Sequence, residues 1–193
     1  MTAQLANPGT WRRIPWRRLG WGGGALFVLL PVVVGAPWSL GDFIFAGVLV
    51  GLVGGGIELA VRQGNAAYSL AAGLALGACL LSAWIPGAIG IIGSERDAAN
   101  ALYLGVVLVA VLGAIAALLR ARGMALAMAA AAIAELLVPV AAWFLWPAVR
   151  DAILQPEVPL MTLLLVGMWG SSAWLFRAAG REQALLSPAR STD

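Results

Sequence analysis

The chain has no histidine and no lysine, one cysteine, and few charges of either sign, 11% of 193 residues. Soluble domains carry ~25%. Each scarcity removes a class of chemistry. Without histidine there is no Ser–His catalytic pair, bis-histidine haem or histidine metal site. A single thiol, Cys79, forms neither an internal disulfide nor a cysteine-cluster metal centre. The 12 basic residues are all arginine, and the formal net charge of +3 is too small and too scattered for a nucleic-acid-binding face. The expectation is therefore no metal, no cofactor and no nucleic-acid partner.

Apolar residues are what the chain has instead. They make up 62% of the sequence, and mean hydropathy is +0.92. A water-soluble globule of this size has no interior large enough to hide them. The fold class read from this is an all-α integral membrane protein, with the lipid bilayer as its first partner. A bilayer core ~30 Å thick takes about 20 apolar helical residues to cross. Runs of that length with no more than one charged residue cover residues 19–38, 43–61, 66–86, 101–119, 124–146 and 158–176. Short links between them predict an antiparallel six-transmembrane-helix bundle. The expected organisation is a cytoplasmic Arg/Trp-rich segment over 1–18, the membrane domain over 19–176 and a cytoplasmic tail over 177–193. The first run also carries the small residues Val34-Gly35-Ala36 of a leader-cleavage site. Pro37 directly after them, and a run long enough to span, favour a retained helix.

Arginine placement gives orientation. With both termini cytoplasmic (N-in/C-in), Arg12, Arg13, Arg17, Arg18, Arg62, Arg120, Arg122, Arg177, Arg181 and Arg190 all lie inside, and only Arg96 and Arg150 outside. Asp42, Glu95, Asp97, Asp151 and Glu157 then fall outside. The tryptophans cluster near the two interfaces, as amphipathic rings do at headgroup level. Trp169 alone lies deeper.

A few residues stand out as functional candidates. Gly47, Gly51 and Gly55 in the second run, and Gly73 and Gly77 in the third, are spaced by four and form smooth helix faces suited to close packing. Glu58, about 4–5 Å from the inner end of its run, precedes Arg62 at ion-pair spacing. Glu135 lies roughly 16 Å from the inner end of the fifth run, near the midplane. With no charged partner at that depth it is expected to be a neutral, hydrogen-bonded side chain, with a proton-carrying role as the alternative. Pro139, four residues on, deprives the Glu135 carbonyl of its helical donor. The link over 85–95 is apolar and glycine-rich. It reads as an interfacial turn, with Ser94 and Asp97 or Asn100 capping the next helix, or else as a re-entrant loop lining a small-solute site.

The run Gly87-Ala88-Ile89-Gly90-Ile91-Ile92-Gly93-Ser94-Glu95, followed by Ala99-Asn100 and Tyr103, resembles a family of small uncharacterised multi-pass bacterial inner-membrane proteins. Gly64-Asn65 with Ala67-Tyr68, Glu58, and Arg122-Gly123-Met124 also match its pattern. The resemblance implies a helical inner-membrane protein. It singles out Glu58, Asn65, Tyr68, Gly90, Gly93, Ser94, Glu95 and Asn100, and assigns no activity. Pro86 and the stretch 96–98 depart from its pattern, and an amide tends to stand in the place of Glu135.

The leading expectation is a non-enzymatic structural or accessory subunit, partnered by a second copy or by another membrane protein. The alternative is a small channel or transporter using the 85–95 loop with Glu58 and Glu135. An enzyme is not expected. Ser94 has no histidine or lysine to activate it, and Asp42 has no second aspartate beside a span.

Overall fold

The structure, a computed structural model, describes residues 16–62 and 65–186. Among these residues every regular element is helical. In order they are α1 (Trp16–Val33), α2 (Leu40–Arg62), α3 (Ala66–Ala88), α4 (Ala101–Ala116), α5 (Ala121–Leu145), the short α6 (Arg150–Ile153) and α7 (Glu157–Leu186). Two 3-10 turns, Ala98–Asn100 and Pro147–Val149, lead into α4 and α6.

Among the described residues five helices are long and apolar enough to cross a membrane, and they correspond to the second through sixth expected spans. The chain is a multi-pass helical membrane protein. The first expected span behaves differently. Its apolar helix covers only Arg18–Val33. Gly35 then adopts φ +67, and the backbone before α2 is non-helical up to Ser39. Pro37 accounts for the stop, since it has no N–H to donate and biases the preceding residue away from helix. Two helices outrun their expected ends. Pro86 lies inside α3, and α7 continues past residue 176 to Leu186.

The chain divides into two compact units, residues 1–54 and 55–193. In the first, α1 meets α2 through two glycines. A Cβ on Gly24 would lie 2.5 Å from Val50 Cγ1, and one on Gly54 3.0 Å from the Trp21 ring. Ser39 and Asp42 cap the start of α2 reciprocally. Asp42 N–H donates to Ser39 Oγ at 3.3 Å, and Ser39 N–H donates to Asp42 Oδ2 at 2.7 Å.

In the second unit α3, α4, α5 and α7 close into a four-helix ring. Neighbours around the ring are α3–α4, α4–α5, α5–α7 and α7–α3. The chain runs up and down, so the loop over 89–97 caps one end. Asn65, Arg120, Arg122, Arg177 and Arg181 gather at the other. The interior is built largely of small residues. Ala71, Ala75 and Ala78 on α3 and Ala127 and Ala131 on α5 are buried, whereas Leu126 and Ile133 on α5 are 75% and 61% exposed. This inversion of a soluble bundle suits lipid. Tails outside are as apolar as leucine, so contact comes from backbones approaching over small side chains. Close approaches of this kind occur at Gly113 and Gly123, where a Cβ would come within 2.6 Å of Ala127 Cβ and 2.7 Å of Ala117 Cβ. Gly56 is similarly tight against Leu76, at 2.7 Å.

The glycines singled out by spacing are roomier. Gly77 would meet Met168 Cε of α7 at 3.2 Å, while Gly55 and Gly73 have nothing within 4 Å in their unit and Gly47 and Gly51 nothing in theirs. Four-residue spacing marks a smooth face but does not say which neighbour faces it.

Gly113→Leu is expected to lower thermal stability in detergent markedly, by wedging α4 from α5. Gly105→Leu on the open face of α4, with nothing within 4 Å, is the control and is expected to be neutral or mildly stabilising. The turn out of α4 holds Leu118 and Leu119 at φ 48 and 57, a left-handed conformation that costs a side-chain-bearing residue about 1–2 kcal/mol. Leu118 is exposed, so Leu118→Gly is expected to stabilise by about 0.5–1 kcal/mol net of glycine's entropy.

Candidate functional site

Three polar groupings are spaced along the bundle axis. The first lies in the interior, where the two diagonals of the ring cross. Glu135 of α5 is completely buried and accepts a hydrogen bond at Oε2 from Ser82 Oγ of α3, 3.2 Å away. On the other diagonal, Tyr103 of α4 and Trp169 of α7 sit beside the Glu135 carboxyl, and both are completely buried. Thr162 of α7 lies next to Tyr103, with its own hydroxyl donated to the Val158 carbonyl at 2.8 Å. Four helices thus each bring at least one polar side chain to one point. Tyr103 Oη, Glu135 Oε1 and Trp169 Nε1 have no hydrogen-bond partner there. Left unpaired, such groups cost about 1–3 kcal/mol each, a large share of the ~5–15 kcal/mol that holds a whole domain.

Proline shapes the same level. Pro139 follows Glu135 by four residues and Pro86 follows Ser82 by four, both inside their helices. The carbonyls of Ser82 and Glu135 therefore both lose the N–H an unbroken helix would supply.

The second grouping is the loop over 89–97. Gly90 and Gly93 take φ +77 and +70, and a Cβ on Gly90 would lie 2.6 Å from the Ser94 backbone. Ile91 and Ile92 turn inward and are buried. Ser94 donates from N–H and Oγ to Asp97 Oδ2, at 2.7 and 2.9 Å. Asn100 was expected as a helix cap, but its side chain makes no capping bond to α4. It clamps the loop instead. Its Oδ1 accepts from the N–H groups of Ile91 and Ile92, at 2.9 and 3.1 Å, and its Nδ2 donates to the carbonyls of Ile92 and Ser94, at 3.1 and 2.7 Å. Every hydrogen-bonding valence of that amide is spent on loop backbone. Glu95 points outward, 3.7 Å from the exposed Arg96.

The third grouping is at the arginine-rich end. Asn65 caps α3, accepting from Tyr68 N–H at 2.8 Å, and donates through Nδ2 to Glu182 Oε2, also at 2.8 Å. Tyr68 donates to the Leu119 carbonyl at 2.7 Å and sets its ring edge-on to Phe176. That bond ties the left-handed turn after α4 to α3. One turn apart on α7, Trp174, Arg177 and Arg181 line a hollow of about 210 Å³.

The residues singled out from sequence therefore do not form one site. Gly90, Gly93, Ser94 and Asn100 meet at one end, Asn65 and Tyr68 at the other, and Glu135 lies between them. Glu58 is partly buried in the last turns of α2, and the Arg62 side chain expected to pair with it lies outside the described residues, as does Gly64. About 34 Å of α3 separates the end near Glu58 from the glycine loop, by helical rise. Among the described residues no three His, Cys, Asp or Glu side chains converge as metal ligands do. Sequence reasoning missed Ser82 as the partner of Glu135, and Tyr103 and Thr162 as members of the surrounding cluster. Two signals pointed at the cluster: Trp169 out of the aromatic belts, and the four-residue step to proline shared by Ser82 and Glu135.

Asn100→Asp keeps the acceptor but turns a second oxygen toward the Ile92 and Ser94 carbonyls. It is expected to destabilise as much as Asn100→Ala, by about 2 kcal/mol or more, measured as thermal unfolding in detergent. If only Ala is damaging, the two donated bonds contribute nothing. The chain matches no protein-family model, no curated protein and no solved structure.

Proposed function

We propose that the chain is a non-enzymatic structural or accessory subunit of a bacterial inner membrane, with six spans, both termini cytoplasmic, and a second copy or another membrane protein as its partner. The observation that carries this reading is how the deepest carboxyl is used. Glu135 is sealed from solvent on all sides and bonded across the bundle to Ser82. A carrier site opens to one side of the membrane or the other, whereas this one joins helices. The glycine loop supports the same reading, because Asn100 consumes the N–H groups of Ile91 and Ile92 and the carbonyls of Ile92 and Ser94. The open glycine face of α2 is suited to receiving the partner. The resemblance to small inner-membrane proteins and the arginine distribution supply the location and topology.

A small channel or transporter is the second reading, favoured by the three polar atoms without partners around Glu135. Proteoliposomes separate the two. The subunit reading expects the same proton and cation leak for wild type, Glu135→Gln and empty vesicles. It also expects Glu135→Gln to fold normally and Glu135→Ala to lose about 1–2 kcal/mol. Wild-type flux that vanishes in a folded Glu135→Gln variant overturns it. For topology, reporters fused after Asp193 and at Arg96 are expected to read cytoplasm and periplasm respectively. A periplasmic C-terminus removes the six-span arrangement. For the partner, Gly51→Leu is expected to release a co-purifying protein or split a dimer, and Val50→Leu to do much less.

A further inference from the structure

We propose that Tyr103, Glu135 and Trp169 together bind one internal water molecule on the axis of the α3–α4–α5–α7 bundle. This goes beyond the subunit reading and stands or falls separately from it. Three observations lead to it. All three side chains are completely buried, and each ends in an unpartnered polar atom. Tyr103 and Trp169 flank the same carboxyl from opposite corners of the ring, so the orphaned atoms share one locality. The neighbouring hydroxyls are already committed: Ser82 donates to Glu135 Oε2, Thr162 to the Val158 carbonyl and Ser172 to the Ala71 carbonyl. The protons of these three hydroxyls are therefore spent, and the Tyr103 O–H and the Trp169 N–H remain as the unspent donors beside the Glu135 carboxyl.

The ligand's chemistry follows from the donor set. The Trp169 indole is a donor only, the Tyr103 phenol both donor and acceptor, and the Glu135 oxygen an acceptor, or a donor when protonated. A water molecule, with two donors and two acceptors, complements all three at once, and buried waters characteristically make about three such bonds. A monovalent cation needs oxygen ligands throughout, and the indole N–H turns positive charge toward the site. An apolar occupant leaves all three atoms unsatisfied. The donor and acceptor set is thus matched to water. It places a hydrated point deep in the bundle without an open path to it.

Magnetic resonance of the protein in lipid, labelled with ¹⁵N-tryptophan, tests this directly. The Trp169 indole signal is assigned by its loss in Trp169→Phe, and magnetisation is then transferred from water. Strong transfer to Trp169 Nε1–H is expected in wild type, comparable to that at the exposed Trp174, and is expected to drop at least threefold in Tyr103→Phe, which removes one anchor of the water. Transfer to Trp174 with none to Trp169 in wild type overturns the proposal, because the indole then bonds directly to protein. A high-resolution map gives a second reading that needs no variant. A peak within about 2.6–3.2 Å of all three atoms supports it. Direct closure of Trp169 Nε1 on Glu135 Oε1 with no peak, or a peak held by oxygens at cation distances, overturns it.

Discussion

The hydrogen bond from Ser82 to Glu135 is the contact around which the bundle is arranged, because it joins two helices that are not neighbours. In a four-helix ring, adjacent helices touch along their length, and the diagonal pair meets only if side chains reach the axis. In lipid no hydrophobic pressure drives helices together, so small residues and interhelical polar contacts decide the packing. A carboxyl on the axis also disciplines the helices around it. Rotating α4 or α7 would carry Tyr103 or Trp169 away from the carboxyl and turn a polar group toward hydrocarbon, where nothing satisfies it. The cluster therefore sets the rotation of the helices, while alanines and glycines set their distance.

That division is visible along α4 and α5. Gly113 and Gly123 bring the two helices close near their shared turn, where a methyl group would already collide. The turn joining them pays for this geometry with two leucines in left-handed conformation, and the Tyr68 hydroxyl steadies it by taking the Leu119 carbonyl.

Much of this was legible from the chain itself. Apolar runs of about 20 residues with no more than one charged residue locate α2, α3, α4, α5 and α7, because hydrocarbon admits few ionisable side chains and most of them gather at the ends of a span. At α1 apolar composition continues past Val33, but Gly35 and Pro37 end the helix there, and hydropathy does not register backbone conformation. Glu135 was legible as a depth, since rise per residue gives height in the bilayer. Its partners were not, because Ser82, Tyr103 and Trp169 come from three other helices, and their meeting depends on rotations that a sequence without a strong amphipathic pattern does not encode. Asn100 shows the same limit at shorter range. An asparagine ahead of a helix reads as a cap, yet the left-handed Gly90 and Gly93 fold the loop back so that its amide is consumed there instead.

The two prolines give the axis its character. Pro86 and Pro139 each lie four residues beyond the partners of the diagonal bond, so both helices lose a backbone donor at the level where their side chains are most polar. Elsewhere the backbone ladders of α3 and α5 are closed on themselves and indifferent to neighbours. At Ser82 and Glu135 the carbonyls lack the donor that their own ladder would supply. Such a level resists sliding of α3 past α5, because a shift of one turn would take both freed carbonyls and the carboxyl out of polar reach together. The side-chain bond alone is modest, about 1 kcal/mol. Coupled to two interrupted ladders in a medium that solvates neither, it is enough to hold the register of the bundle.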